Sequence, residues 1–152
     1  MRDGEADAFD VARASLSNHF AWFGVEKAFP SPSLVFRKQG AGYFVAHYYP
    51  YSESMSTFVA ECDHQTWQSL GMETMTAEAR KAVFERVFAP ELDGCKLVSN
   101  HSNWRQFPVI RARNWHVGNR VLIGDALSSA HFSIGSGCLL YTSPSPRDQR
   151  GS

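Results

Sequence analysis

Between Leu34 and Glu61 the chain alternates apolar runs with turn-forming breaks at a spacing that suits strands and leaves no room for long helices. Leu34 to Arg37 and Gly42 to Tyr49 flank Lys38-Gln39-Gly40-Ala41, a hairpin connection, and Met55 to Glu61 follows the break at Pro50 to Ser54. Upstream, Phe20-Ala21-Trp22-Phe23-Gly24-Val25 is aromatic and β-branched and reads as another strand. Three neighbouring antiparallel strands predict a sheet with one aromatic face. Tyr43, Val45, His47 and Tyr49 fall on one side, and Phe44, Ala46 and Tyr48 on the other. The alternation alone does not decide which side is packed and which is left for a ligand.

Helical signals follow. Asp63 is placed to cap a short helix over 64–70 that Gly71 ends, and Thr76 to cap a second with Glu78 in its first turn. Ala79, Val83 and Val87 mark one apolar side, widened by Phe84 and Phe88, and Pro90 stops the run. Glu78, Arg80, Lys81, Glu85 and Arg86 read as its wet face. Helices of this kind cover a sheet, so the fold class expected is α+β. Lys96 to Asn100 reads as a strand leaving this sheet, and the Trp-rich segment from Trp104 through Trp115 leads to Arg120.

With 152 residues and 43% hydrophobic content the chain suits one modest domain. Fifteen basic and fifteen acidic residues balance, which argues against nucleic acid or an anionic membrane surface as partner. Cys62, Cys95 and Cys138 are odd in number and far apart, so a reducing cytoplasm is expected rather than a disulfide scaffold. No long apolar span or export leader is visible. His47, Cys62 and His64 fit none of the usual zinc spacings, and no metal is expected. Arg105, Arg111 and Arg113 suit the acidic part of a ligand, with solvated surface the simpler reading.

The stretch that carries chemistry lies later. Val121 to Ile123 is a short apolar run expected to be a buried strand, Gly124 allows close backbone approach, and Asp125 sets a carboxylate at the strand end. From there Ala126-Leu127-Ser128-Ser129-Ala130-His131-Phe132-Ser133-Ile134 leads to Gly135-Ser136-Gly137. This pattern resembles the second flavin motif of single-component, FAD-dependent aromatic hydroxylases. It is closest to the subgroup of salicylyl-CoA 5-hydroxylase, anthraniloyl-CoA monooxygenase and the tryptophan-derived pigment hydroxylases. The resemblance implies FAD as cofactor, NADH or NADPH as co-substrate, and hydroxylation of an aromatic substrate with O2, the substrate being an aryl-CoA thioester or an indole derivative. It implies that Asp125, after Gly124, accepts hydrogen bonds from the ribityl hydroxyls, and that Gly135, Ser136 and Gly137 lie by the pyrimidine edge of the flavin. Leu127 and Ser128 depart from the family's Ala and His, and Phe132 stands at its usual Pro. His47, Tyr49 and Phe132 are the substrate-pocket candidates, and no side chain is assigned as catalyst.

The family's Gly-x-Gly-x-x-Gly loop does not occur in these 152 residues. The expectation is therefore an internal fragment: a connecting segment over 1–19, substrate-domain sheet and helices over 20–103, a return into the FAD-binding domain over 104–137, and a non-native tail over 138–152. The resemblance leaves a homo-oligomer of the full-length parent open. Two alternatives stand beside it: a non-catalytic β-sheet subdomain without cofactor, and a flavin oxidoreductase that does not hydroxylate.

Overall fold

The structure, a computed structural model, describes residues 7–134. Two units divide within β1 (Val11–Val25) and β6 (Arg105–Ala112): Ser17–Phe107 forms one, and the described residues before Ser17 and after Phe107 the other. In the first, β2 (Ser33–Gln39) and β3 (Gly42–Pro50) make the expected hairpin. Only Gly40 and Ala41 join them, and Gly40 sits at φ +61°, the left-handed backbone that tight hairpin turns use. β4 (Ser56–Cys62) continues the meander, β1 pairs the far edge of β4, and β5 (Leu97–Ser99) pairs Phe23 to Val25 at the end of β1. The order is β2-β3-β4-β1-β5, all antiparallel, and β6 also pairs β1. The strand expected to leave near Lys96 thus stays in this sheet. Its anchor is Leu97, whose side chain is buried and whose N–H donates to Glu85 Oε1 at 2.9 Å.

Register decides the packed side. Phe44, Ala46 and Tyr48 align with Cys62, Ala60 and Phe58, the last two align in turn with Ala21 and Phe23, and with Val25 they all join one buried cluster. Helices cover that side. α1 (His64–Ser69) is capped by Asp63, whose Oδ1 accepts the Thr66 N–H at 2.9 Å, and α2 (Ala77–Val87) by Thr76, whose Oγ1 accepts the Ala79 N–H at 3.2 Å. Phe84 meets Phe44 edge-on at 5.5 Å and Phe88 meets Phe58 at 5.6 Å, so α2 and its end dock ring against ring. Three expectations need correction here. Ala79 is exposed, because burial on α2 begins only at Val83. Glu85 and Arg80 are not simply solvated: Glu85 holds Leu97, and Arg80 donates to the Met72 carbonyl at 2.6 Å while lying 5.1 Å over Trp67. Pro90 follows the end of α2 and sits in the first turn of α3 (Ala89–Leu92), where a missing N–H leaves no hydrogen bond unmade.

In the other unit, β7 (His116–Val117) and β8 (Arg120–Val121) form a two-stranded hairpin. The run from Val121 to Ile123 is not the buried strand expected of it. Val121 and Ile123 are 66% and 68% exposed, because β8 ends at Val121 and, among the described residues, pairs only with β7. No helix among the described residues is long and apolar enough to cross a membrane.

Candidate functional site

The same alternation that builds the core leaves a second side to the sheet. Asn18, Phe20, Trp22 and Gly24 of β1 align there with Thr57, Val59 and Glu61 of β4, and these with Val45, His47 and Tyr49 of β3. Two cross-strand rows result: Leu34, His47, Val59, Trp22, and beside it Phe36, Val45, Glu61, Phe20. The buried apolar side chains of the three helices all belong to the opposite cluster, so this face is helix-free among the described residues. Phe20 and Val59 are nonetheless buried in it. Trp22 stands edge-on to Phe20 at 5.0 Å, and the Arg105 guanidinium lies 4.9 Å over Trp22 and 5.5 Å over Phe20. Arg105 is therefore a cation spread over aromatic rings rather than a free surface charge.

At the Gly24 end of this face a cavity of about 470 Å³ opens. Trp22, Gly24 and Thr57 line it from the strands, Tyr51 and Met55 from the loop before β4, and Val98 and Asn100 from the β5 side. Its size and its mixed aromatic and polar lining suit a small organic ligand. Further along, Glu61 is a carboxylate only 7% exposed that accepts a hydrogen bond from Asn18 Nδ2 at 2.7 Å, the kind of partner a buried charge requires.

His47 and Tyr49, the two pocket candidates from β3, share this face with ring centroids 5.6 Å apart. His47 is half-buried and its Nδ1 has no hydrogen-bond partner; burial alone pushes its pKa below the usual imidazole value, so the ring is neutral at pH 7. Cys62 points into the core instead, and burial with the neighbouring Asp63 and Glu61 carboxylates pushes its thiol up to about 12, so it stays protonated. His47 and Cys62 lie on opposite sides of the sheet and are not brought together. On the core side, His19 stacks on Trp67 at 4.2 Å; burial and then the nearby His64 lower its pKa.

The Gly-Asp motif belongs to the other unit. Gly124 at φ +58° opens a 3-10 turn over Gly124–Ala126, and the Gly124 carbonyl accepts the N–H groups of Leu127 and Ser128, both at 3.0 Å. Asp125 is exposed on this turn. Behind it the chain is stitched to β6: the Ala112 N–H donates to the Leu127 carbonyl at 2.8 Å, and the Ile110 N–H to Ser129 Oγ at 2.8 Å. Arg111 and Ser128 form a single antiparallel bridge, so Ser128 is held by its backbone. Arg113 pairs with Asp10 at 3.5 Å and Arg111 is exposed. Phe132 packs beside His131 at 4.2 Å in this unit, whereas His47 and Tyr49 belong to the other. Gly135, Ser136 and Gly137 lie outside the described residues, as does the segment over 138–152. An exposed carboxylate on a tight turn fits a polyhydroxylated group such as the ribityl chain by the chemistry of its acceptor oxygens.

Sequence reasoning missed Phe20, Trp22, Val59 and Glu61 as members of the His47 face. The signal was the even-numbered alternation from Asn18 to Gly24, which becomes legible only once β1 is known to pair with β4.

No family model matches the chain. Among curated proteins it is 39% identical over 140 residues to salicyloyl-CoA 5-hydroxylase of a Streptomyces species, covering 87% of this chain and 27% of that protein. It is 42% identical over 121 residues to protodeoxyviolaceinate monooxygenase of Chromobacterium violaceum, covering 79% of this chain and 32% of the other. A 3-hydroxy-4-methyl-anthranilyl-[aryl-carrier protein] 5-monooxygenase of Streptosporangium sibiricum is 36% identical over 91% of this chain and 36% of its own length. The chain thus spans about a third of the curated relatives it matches. Among solved structures, its fold resembles CmlS, a flavin-dependent halogenase, at a TM-score of 0.61 and 14% identity, over 90% of this chain and 26% of that one. It also resembles aklavinone-11 hydroxylase, solved with FAD and aklavinone, at 0.53 and 16%, over 90% and 28%.

Proposed function

Because the chain belongs to the family of flavin-dependent aromatic monooxygenases and halogenases, related to aryl-CoA and indole-pigment hydroxylases, we propose that it is the substrate-side part of an FAD-dependent enzyme that hydroxylates an aromatic ring using NADH or NADPH and O2. The observation that carries this reading is the helix-free face with a cavity at its Gly24 end that Trp22 helps to line. Such a face supplies what ring hydroxylation asks of a protein: an apolar bed that excludes water and fixes a flat substrate. Trp22 offers a half-buried aromatic ring backed by the buried Phe20 and Val59, and Arg105 spread over the rings adds a positive field. FAD, when bound, supplies the passage of electrons from the nicotinamide to O2. Asp125 would hold the cofactor by accepting hydrogen bonds from its ribityl hydroxyls, with Gly135, Ser136 and Gly137 by the pyrimidine edge of its ring. In this reading residues 20–103 form the substrate side and 104–137 the return toward the flavin.

The test is a chimera in which this chain replaces the matching 140 residues of salicyloyl-CoA 5-hydroxylase. Substrate-dependent NAD(P)H oxidation with an equal amount of hydroxylated product is the expected result. Oxidation that yields only hydrogen peroxide, with FAD retained, would favour a flavin oxidoreductase; a folded chimera that binds no FAD would favour a subdomain without cofactor.

A further inference from the structure

We propose that His47 is the specificity-determining hydrogen-bond donor of the helix-free face, its Nε2–H holding an oxygen acceptor on the aromatic substrate and so fixing how the ring lies on that face. This rests on the reading of that face as the substrate surface. Register places Trp22, Val59 and His47 in one row across three adjacent strands. At the strand spacing of a β-sheet, His47 stands about 10 Å from Trp22, the span of an aromatic ring with its substituent. Leu34 and Val59 flank His47 with apolar side chains, so the imidazole is the polar group on this side of Trp22.

The tautomer follows from what each nitrogen meets. Nδ1 is buried with no hydrogen-bond partner, whereas the ring as a whole is only half-buried and Nε2 is not among the buried unpartnered atoms. A buried N–H with no acceptor is rarer and more costly than an unshared lone pair, so the proton belongs on Nε2. Burial keeps the ring neutral. The groups around it do not reverse that: Tyr49 is its titratable neighbour on β3, β4 contributes Val59 and, one row away, Glu61 held by Asn18, and β2 contributes Leu34 and Phe36. His47 thus presents one neutral donor, which selects a carbonyl, carboxylate or phenolate oxygen and gives a bare hydrocarbon edge nothing.

The probes are acetophenone, which carries such an acceptor, and ethylbenzene, which matches its shape without one. Histidine ring ¹⁵N spectra of the whole chain should show His47 protonated on Nε2, with that resonance moving as acetophenone is added. Acetophenone should bind about fivefold to tenfold tighter than ethylbenzene, the net effect of one hydrogen bond. His47→Phe should remove the preference while still binding both probes, and His47→Gln, which keeps an amide donor, should restore part of it. A proton on Nδ1, or equal binding of the two probes by the unmodified chain, would overturn the assignment of His47 and leave the substrate face standing. Failure of both probes to bind would overturn the two together. The tautomer measurement needs no variant, so it decides the matter even if His47→Phe does not fold.

Discussion

A Cβ on Gly42 would come within 2.9 Å of the Phe44 ring and 3.1 Å of Thr66 Cγ2, two side chains in the join between β3 and α1. Gly42→Ala should therefore destabilise the chain by about 1–3 kcal/mol, the range for overpacking, read as a lower urea midpoint with an unchanged slope. Asp125 makes a different kind of prediction. In the salicyloyl-CoA 5-hydroxylase chimera, Asp125→Ala should weaken FAD binding by about 1.5–3 kcal/mol, the worth of a charge-assisted hydrogen bond, measured by titrating apoprotein. Unchanged affinity would remove Asp125 from the cofactor site. At this scale the sequence was legible where chemistry is local. The Asp63 and Thr76 caps sit where their spacing placed them, because a cap needs only residues three positions apart. Trp22 was not legible as a site residue, because its role comes from strand pairing across about 40 positions of chain.

α2 joins the sheet through two devices of unequal weight. Thr76→Ala removes one cap and should cost about 1 kcal/mol. Phe84 is fully buried between Phe44, Phe88 and Trp104, and Phe84→Ala should cost about 3–5 kcal/mol through lost burial and the cavity left behind. Guanidinium melts of both variants check the ranking, and a Thr76→Ala loss equal to that of Phe84→Ala would show that α2 stands on its caps more than on its packing. The strands from Leu34 to Glu61 could be read ahead because a meander pairs neighbours in sequence order. β5 could not, since whether an apolar triplet leaves a sheet or returns to its edge depends on Glu85 meeting the Leu97 N–H. The run from Val121 to Ile123 misled for a related reason. Its pattern suits a strand covered on both faces, and among the described residues β8 pairs only with β7.

For the whole molecule, two histidines link folding to pH. His19 and His47 both have folded-state pKa values below 6.5, so below that pH the unfolded chain binds protons that the folded chain declines. Their contribution is complete above pH 6.5 and is lost as the pH falls toward their lowered values. Thermal melts across that range should show stability falling on acidification, with part of the slope absent in a His19→Gln, His47→Gln double variant. That an aromatic ligand occupies the helix-free face is the reading on which the proposed function stands. It is tested most directly by following side-chain resonances while the chain is titrated with acetophenone. The predicted shifts fall on the Trp22 indole N–H and the Val59, Val98 and Met55 methyl groups, which line one face and its cavity. Shifts confined to Met75 and Val83, beside the smaller cavity under α2, would contradict the account.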